Sequence, residues 1–301
     1  MSVRLLAIAL ALVPATLPAM PLGPSADGPF PVGVTTVTLV DATRQRSLVT
    51  EVWYPARTAG RDGTPRRGRY PLVLVAHGFC GFRTNYEYVT IPLAARGFVV
   101  AAPDFPEFTQ AVCNAGTPSS DTSAPAADLS FLRVVLHDRH GQAATLARAI
   151  RGRRTGLLGH SLGGKAELQA ALADPDLRTV VALAPVPAAG MGGALAALDP
   201  PPAVLVVVGT ADILLQLDET FFAALVPPAF LVTITGGTHS GLTDMDSGLT
   251  PEALAREEGL ARRYAVAMLE RYLARDRRFA RFLTPADAAA EGADVVLTAA
   301  D

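Results

Sequence analysis

The sequence has little of several features that would point to particular functions. Its 301 residues carry a formal net charge of −2 and form no stripe of lysine or arginine, so nucleic acid is not an expected partner. Arg66, Arg67 and Arg69 cluster beside a glycine and are expected in an exposed loop. No apolar run reaches the ~20 residues that a membrane span needs, so stable membrane insertion is not expected.

The amino terminus is predicted to be a secretory signal with a short linker, residues 1–26. Arg4 precedes the apolar run LLAIALALV, and small residues with prolines follow through Met20. Cleavage after Ala19 or Ala26 would give a secreted or periplasmic protein; the alternative is an uncleaved anchor. This tract contains no cysteine, which excludes lipid attachment there.

The motif GHSLGG, residues 159–164, is the strongest chemical signal in the chain. An apolar, strand-like tract precedes it, and a helix is predicted from Leu162 until Pro175 ends it. A serine on such a strand-turn-helix elbow is strained, and glycines are needed where a Cβ would collide. Ser161 is therefore predicted as a nucleophile, and the Leu162 backbone N–H as an oxyanion donor. The alternative is a glycine-rich turn with an idle serine.

A serine hydroxyl needs a base, and the chain has only five histidines. His160 is expected on the other side of the elbow, where it packs or forms a hydrogen bond beneath the turn. His137 and His140 fall in a predicted helix, and His77 belongs to another motif. His239 follows the strand-like run AFLVTITGG, as a loop at the carboxyl edge of a sheet would. His239 is therefore the favoured base, with a turn histidine as the alternative.

The base in turn needs an acid that fixes its tautomer. Asp212 comes shortly after the apolar run AVLVVVG, which is typical of a buried parallel strand. The order Ser161, Asp212, His239 is the chain order of α/β-hydrolase triads. Three other carboxylates remain open as the acid, although one of them is expected to cap a helix: Asp199, Asp218 (the expected cap) and Asp244.

A second oxyanion donor is expected from the segment YPLVLVAHGFCG. Residues 72–76 predict a strand, and the His77-Gly78 turn brings the backbone close to a substrate. The Phe79 N–H is the predicted donor. Its phenyl ring would cover the acyl group, unless it is a core aromatic.

Strands and helices alternate along most of the chain, which predicts an α/β fold with helices on both faces of a mostly parallel, eight-stranded sheet. One catalytic domain would span residues 27–284, and the Ala-rich tail, residues 285–301, would be a loose end or a small added strand. The predicted strands lie near 34–41, 47–55, 71–76, 98–103, 154–159, 179–185, 203–209 and 229–235, and the predicted helices near 86–96, 129–150, 162–173, 218–225 and 251–274.

Four segments, GHSLGG, AHGF, EVWYP and LAARGFVVAAPDFP, together resemble secreted serine hydrolases of the α/β-hydrolase superfamily. The similarity is to the group that joins dienelactone-hydrolase-like, platelet-activating-factor-acetylhydrolase-like and cutinase-like polyester hydrolases, and it runs over about residues 32–283. It implies the triad and oxyanion roles given above. Dienelactone hydrolases carry a cysteine nucleophile, so Ser161 favours carboxylic esters. Cutinase-like enzymes often have an aromatic residue or methionine beside the nucleophile, where this chain has His160 and Leu162.

Lids in this superfamily are commonly inserted after the sixth strand, where the chain offers only residues 187–202. No large lid is therefore expected, and the cleft would be open. Its apolar walls would suit acyl chains or aromatic esters, although several of these side chains could equally be core. The predicted walls are Phe79, Phe82, Tyr86, Phe105, Phe108, Met191 and Leu195.

The strand order of this superfamily also predicts a disulfide between Cys80 and Cys113. Their loops follow the third and fourth strands, which are neighbours in that order, and an exported chain with two cysteines would pair them. The alternative is two free, buried thiols.

The sequence thus predicts a secreted serine esterase that works through an acyl-enzyme and needs no metal or cofactor. A small-molecule, lipid or polymer ester would be its substrate. The alternatives are a phospholipase or acetylhydrolase, a polyester hydrolase, or a non-catalytic binding module on the same scaffold. The oligomeric state is left open.

Overall fold

A computed structural model describes residues 23–214, 219–245 and 247–300. Most of the predicted signal segment, residues 1–22, lies outside the described residues, and so does the predicted helix cap Asp218. The described residues form one ten-stranded sheet flanked by helices.

The sheet has the order β10-β9-β8-β7-β6-β4-β5-β2-β1-β3. Its centre, from β5 through β9, is parallel, while β2 joins β5, β1 joins β2, and β10 joins β9 in antiparallel fashion. The strands are β1 Val32–Asp41, β2 Arg46–Pro55, β3 Gly60–Arg61, β4 Tyr70–Ala76, β5 Val99–Pro103, β6 Ile150–His160, β7 Leu177–Leu183, β8 Ala203–Gly209, β9 Ala229–Ile234 and β10 Val295–Ala299.

Helices connect most of the parallel strands, as crossover connections between parallel neighbours require. They are α1 Glu87–Ala95, α2 Gln110–Asn114, α3 Ser123–His137, α4 Ala144–Ala147, α5 Leu162–Ala173, α6 Met191–Ala196, α7 Glu219–Ala223, α8 Pro251–Met268 and α9 Pro285–Glu291.

Alternate side chains of the central strands enter two separate cores. On β4, Val73 and Val75 pack in a cluster with residues of α1 and α8, whereas Leu72 and Leu74 pack with residues of α3 and α5. Successive strand residues point to opposite faces, so a strand covered on both faces must be apolar throughout. The predicted α/β fold with helices on both faces is therefore confirmed.

The structure differs from the sequence-based expectation in one helix and in the number of strands. The helix expected over residues 129–150 is α3, which begins earlier and ends at His137. A turn stops it, because Gly141 N–H donates to the Asp138 carbonyl and His140 N–H donates to the Asp138 side chain. The sheet has two strands beyond the predicted eight. They are the two-residue β3 and, from the Ala-rich tail, β10, whose Val295 and Leu297 are buried.

Within the described part of the chain, no helix is both long and apolar enough to cross a membrane.

Candidate active site

The serine turn has the strained geometry that its motif predicts. Ser161 lies between β6 and α5 with φ 56° and ψ −121°, a conformation that a non-glycine residue rarely adopts. The two flanking glycines leave no room for a side chain. A Cβ on Gly159 would lie 2.6 Å from the Gly163 carbonyl oxygen, and a Cβ on Gly163 would lie 2.1 Å from the Ala76 carbonyl oxygen. The elbow therefore projects the serine at the carboxyl edge of the sheet.

His239 and Asp212 meet at the same edge. His239 Nδ1 lies 2.7 Å from Asp212 Oδ2, and Asp212 is buried beneath the ring. The two loops are tied to each other, since Ala211 N–H donates to the Gly237 carbonyl at 2.9 Å. From α8, the carboxylate of Glu257 accepts the N–H of Thr238 at 2.8 Å and so fastens the histidine loop to the helix layer. The other ring nitrogen of His239, Nε2, remains for chemistry at the cavity.

The other candidate acids that the structure describes do not contact His239. Asp244 accepts the backbone N–H groups of Glu87 and Tyr88, so it caps the start of α1. Asp199 is exposed on the segment that leads into β8. Within the described residues, Asp212 is thus the carboxylate paired with His239.

A buried histidine holds the loop after β4. Phe105 N–H donates to His77 Nε2 at 2.9 Å, so the ring proton sits on Nδ1 and is donated to the Gly78 carbonyl at 2.8 Å. That carbonyl and the Phe79 N–H belong to one peptide unit. His77 therefore orients the Phe79 N–H.

Both predicted oxyanion donors are free to bind a ligand. The Phe79 N–H makes no hydrogen bond to any residue that the structure describes, and the same holds for the Leu162 N–H. Leu162 is the first residue of α5, where backbone donors lack an intrahelical acceptor and face an anion favourably.

Ser161, His239 and both donor residues line one cavity of about 430 Å³. Tyr86 is also in the lining although only 1% of the residue is exposed, and Phe79, another lining residue, is 42% exposed. The lining is mainly apolar, and this size lies in the usual range of small-molecule sites. The full lining is Gly78, Phe79, Tyr86, Ser120, His160, Ser161, Leu162, Val186, Leu214, His239, Ser240, Thr243 and Met245.

Several predicted wall residues are not part of this lining. Phe105 and Phe108 are buried in the core, where they pack around the His77 ring. Met191 and Leu195 of α6 are buried against the core on the α3 and α5 face. Phe82 is half-buried and is not part of the cavity lining. From the sequence alone, an apolar side chain near the site could lie either in the cavity wall or in the core. Phe105, Phe108, Met191 and Leu195 lie in the core.

Other lining residues were not foreseen. Leu214 is 66% exposed. It follows the candidate acid Asp212 by two residues, and this closeness in sequence could have indicated that it lines the cavity. Val186, Thr243 and Met245 come from loops with no motif. His160 was expected to pack or form a hydrogen bond beneath the turn; its ring is buried and forms hydrogen bonds, but it also lines the cavity and lies 4.5 Å from the His239 ring, centroid to centroid.

Cys80 and Cys113 form a disulfide with a Cα–Cα distance of 5.6 Å, which confirms the predicted pairing. Two backbone hydrogen bonds join the same loops: Cys80 N–H to the Phe108 carbonyl at 2.9 Å, and Gln110 N–H to the Gly81 carbonyl at 3.1 Å. The disulfide therefore secures the loop that carries the Phe79 N–H to the loop after β5.

We expect removal of this disulfide to lower turnover before it unfolds the protein. Replacing both cysteines with serine should reduce the free energy of unfolding by about 3 to 4 kcal/mol, because a closed loop is released in the unfolded chain. Turnover should fall under conditions where the variant is still folded, since the Phe79 loop is loosened. Urea unfolding and ester turnover at one temperature measure both effects. Two reactive thiols in the unfolded, unreduced wild type would contradict the pairing.

The two histidines next to the elbow and the oxyanion loop are held neutral. Burial lowers the pKa of His77 to about 4, although its bond to the Gly78 carbonyl and the charge of Asp104 oppose the shift. Burial, followed by the neighbouring His239, lowers the pKa of His160 to about 3. Both rings therefore keep one proton and a fixed pattern of donor and acceptor through the neutral range.

A neutral, buried histidine makes the fold sensitive to acid. The pKa of His77 is lower in the folded than in the unfolded state, so its contribution to stability is complete above about pH 6.5 and is lost as the pH falls towards about 4. The loss amounts to roughly 3 kcal/mol. We expect His77→Gln to remove this part of the pH dependence of the free energy of unfolding, because glutamine does not titrate. This holds whether or not the variant is less stable than wild type at pH 7.

The measurement is the free energy of unfolding in urea at several values between pH 7 and pH 4. Buried carboxyls with a raised pKa, such as Glu167, act in the opposite direction, so the difference between variant and wild type is the readout. His140→Gln is the control, because His140 is exposed. If the free energy of unfolding changed equally with pH in His77→Gln and wild type, His77 would not be a source of the acid sensitivity.

Among the described residues, no three side chains of His, Cys, Asp or Glu converge as a metal site would require.

The fold and the serine turn place this chain among the α/β-hydrolases. A ferulic acid esterase from Streptomyces cinnamoneus has a similar structure, with a TM-score of 0.66 and 21% sequence identity over 87% of this chain and 93% of that one. The chain belongs to the PET hydrolase-like family, whose model matches residues 18–297. It is accordingly an ester hydrolase, as its sequence predicts.

A curated relative matches part of the chain. The bis(hydroxyethyl) terephthalate hydrolase of Streptomyces coelicolor is 29% identical over 158 residues, which are 52% of this chain and 44% of that protein. The match thus spans less than half of the relative's length.

Proposed function

We propose that this hydrolase cleaves carboxylic esters through an acyl-enzyme on Ser161, with His239 as base and Asp212 as acid. The observation that carries the proposal is the 2.7 Å contact between His239 Nδ1 and Asp212 Oδ2 beside the strained serine, in one cavity. Asp212 holds the proton on Nδ1, which leaves Nε2 bare to accept the serine proton.

The reaction then has two halves. Ser161 Oγ attacks the ester carbonyl while His239 takes its proton, and the N–H groups of Phe79 and Leu162 stabilise the oxyanion. His239 next gives the proton to the leaving alcohol. Water, activated by the same histidine, attacks the acyl-enzyme and releases the acid.

The preferred substrate, we propose, is an ester of an aromatic acid, small or at the end of a polymer chain. Phe79 and Leu214 both line the cavity and are exposed, so they offer apolar surface against which an aromatic ring can pack. The two relatives support this class, because each is named for an ester of an aromatic acid, terephthalic or ferulic. A lipid acyl chain is the second candidate, since the lining is mainly apolar.

The first test is labelling with a fluorophosphonate, which reacts with an activated serine. One label per wild-type chain and none on Ser161→Ala is the expected result. An unlabelled wild type would contradict the mechanism and favour the alternative of a non-catalytic binding module on this scaffold.

The second test compares turnover of bis(hydroxyethyl) terephthalate, methyl ferulate, p-nitrophenyl esters of increasing chain length, a phospholipid and a polyester film. Higher kcat/KM for long acyl chains than for the aromatic esters would overturn the proposed class.

We also propose that residues 1–26 direct export and that residues 27–284 carry the catalytic machinery of the domain whose sheet β10 completes. The disulfide supports an oxidising location, since such bonds persist outside the cytosol. Mass spectrometry of protein recovered from the culture medium would give the cleavage site. Recovery only from the cytosol, with Met1 or residue 2 at the terminus, would contradict export.

A further inference from the structure

One phenol and one imidazole join the loops that carry the proposed oxyanion donor and base. Gly78 N–H donates to the Tyr86 hydroxyl at 3.0 Å, and that hydroxyl lies 3.2 Å from His160 Nδ1. The other ring nitrogen, His160 Nε2, lies 3.1 Å from the His239 carbonyl oxygen. The chain of contacts therefore runs from the loop after β4, through the residue before Ser161, to the loop after β9.

The chemistry of these groups fixes the direction of every hydrogen bond. A carbonyl oxygen can only accept, so His160 Nε2 carries a proton and its N–H donates a hydrogen bond to the His239 carbonyl oxygen. In a neutral ring Nδ1 is then bare, and the Tyr86 O–H must donate to it. The phenol oxygen accepts the Gly78 N–H. Each member is polarised by the previous one, which strengthens the whole chain in a buried setting.

The neutral state of His160 is necessary for this pattern. Burial and the adjacent His239 lower its pKa to about 3, so the ring remains neutral during turnover. A charged His160 would also repel the imidazolium that His239 becomes when it takes the serine proton, because the two rings are 4.5 Å apart. The arrangement therefore suits a base that becomes positively charged.

Tyr86 contributes through its hydroxyl and not as a wall. Only 1% of the residue is exposed, so its ring offers little surface to a substrate. Its hydroxyl replaces water as the partner of the Gly78 N–H, one residue before the Phe79 donor. Motion of either loop would break a buried hydrogen bond, which is costly.

We propose that Tyr86 and His160 are positioning residues for ester hydrolysis, and that their hydrogen-bond chain holds the Phe79 oxyanion donor and the His239 base in register about Ser161. This inference rests on the proposed function. The chain acts through the backbone at Gly78 and His239, so its loss should affect the chemical step more than substrate binding.

The first experiment is Tyr86→Phe, with Tyr54→Phe as the matched control. Tyr54 is also buried, and its hydroxyl donates to the Gly63 carbonyl at 2.8 Å, outside the cavity lining. We expect Tyr86→Phe to lower kcat about 10- to 100-fold with little change in KM, because slight misplacement of reacting groups has effects of this size. Tyr54→Phe should retain kcat. A Tyr86→Phe enzyme within twofold of wild-type kcat would overturn the proposal.

A double-mutant cycle tests whether the two residues act as one unit. With its amide N–H placed on the His239 carbonyl, the glutamine of His160→Gln keeps that donor, but its acceptor Oε1 does not occupy the position of Nδ1. We expect the double variant Tyr86→Phe/His160→Gln to lose no more kcat than the worse single variant, since the same link is broken in each. Multiplicative losses would show independent effects and overturn the proposal.

A spectroscopic readout separates positioning from general loosening of the fold. In ¹⁵N NMR of the folded proteins, Tyr86→Phe should shift the bare His160 Nδ1 towards the value of an unbonded nitrogen, and Tyr54→Phe should not. Fluorophosphonate labelling distinguishes a failure of the positioning role from a failure of the proposed mechanism. An unlabelled wild type would refute the proposed function, whereas normal labelling with unchanged kcat and Nδ1 signals in Tyr86→Phe would refute the positioning role alone.

Discussion

Replacement of Ser161 with alanine is expected to lower kcat for ester hydrolysis by about 10⁴- to 10⁶-fold. The proposed nucleophile is lost, and the proposed oxyanion donors and the cavity would supply only a small part of the rate enhancement. KM should change little, since the Ser161 side chain adds little to substrate binding. Steady-state kinetics on an activated aryl ester, with a blank for spontaneous hydrolysis, give both values.

Stability provides the control for this variant. Ser161 holds its φ of 56° because the elbow packs around it, and alanine meets the same backbone requirement. Melting temperature and circular dichroism should therefore stay close to those of wild type. A folded Ser161→Ala enzyme with a tenth of wild-type turnover would refute Ser161 as the nucleophile.

The Asp212→Asn variant is expected to lose about 10²-fold or more in kcat. Asp212 Oδ2 accepts from His239 Nδ1, and Oδ1 accepts from Leu214 N–H at 3.0 Å. An asparagine can keep the bond to Leu214, but it then presents an amide N–H to His239 Nδ1. The ring would have to take the other tautomer, with the proton on Nε2, and could not accept the serine proton.

Two further substitutions show whether the effect is specific. Asp199→Asn changes an exposed carboxylate and should leave kcat within twofold of wild type. Asp244→Asn weakens the cap of α1 and should affect stability more than kcat. A larger loss of kcat in either variant than in Asp212→Asn would mean that Asp212 is not the acid.

The sequence was most informative where function depends on local backbone geometry. The elbow needs glycine at fixed offsets from Ser161, so its motif is visible in six residues. The contact between His239 and Asp212 could be predicted because each follows a buried strand, and parallel strands bring their carboxyl ends to one edge. The disulfide followed from the same order of strands, since the loops of Cys80 and Cys113 leave neighbouring strands.

The sequence was least informative about which side chains face the cavity. Phe105 and Met191 have the right chemistry for a wall, but packing turns them into the core. His160 is the opposite case. Its ring lines the cavity, and its two nitrogens form hydrogen bonds with the Tyr86 hydroxyl and the His239 carbonyl. These contacts join residues 74 and 79 positions apart. No local pattern reports such pairings.

The C-terminal strand β10 covers the edge of β9 and buries Val295 and Leu297 in the core. β10 pairs with β9 along its length, and Thr235 N–H also donates to the Asp294 carbonyl at 2.8 Å, next to the loop of His239. Without residues 285–300, the sequence AFLVTI of β9 would become an open edge with no charge and no proline within it, which is typical of aggregation-prone strands. A shortened chain ending at residue 284 would retain every proposed catalytic side chain and yet be expected to precipitate during expression.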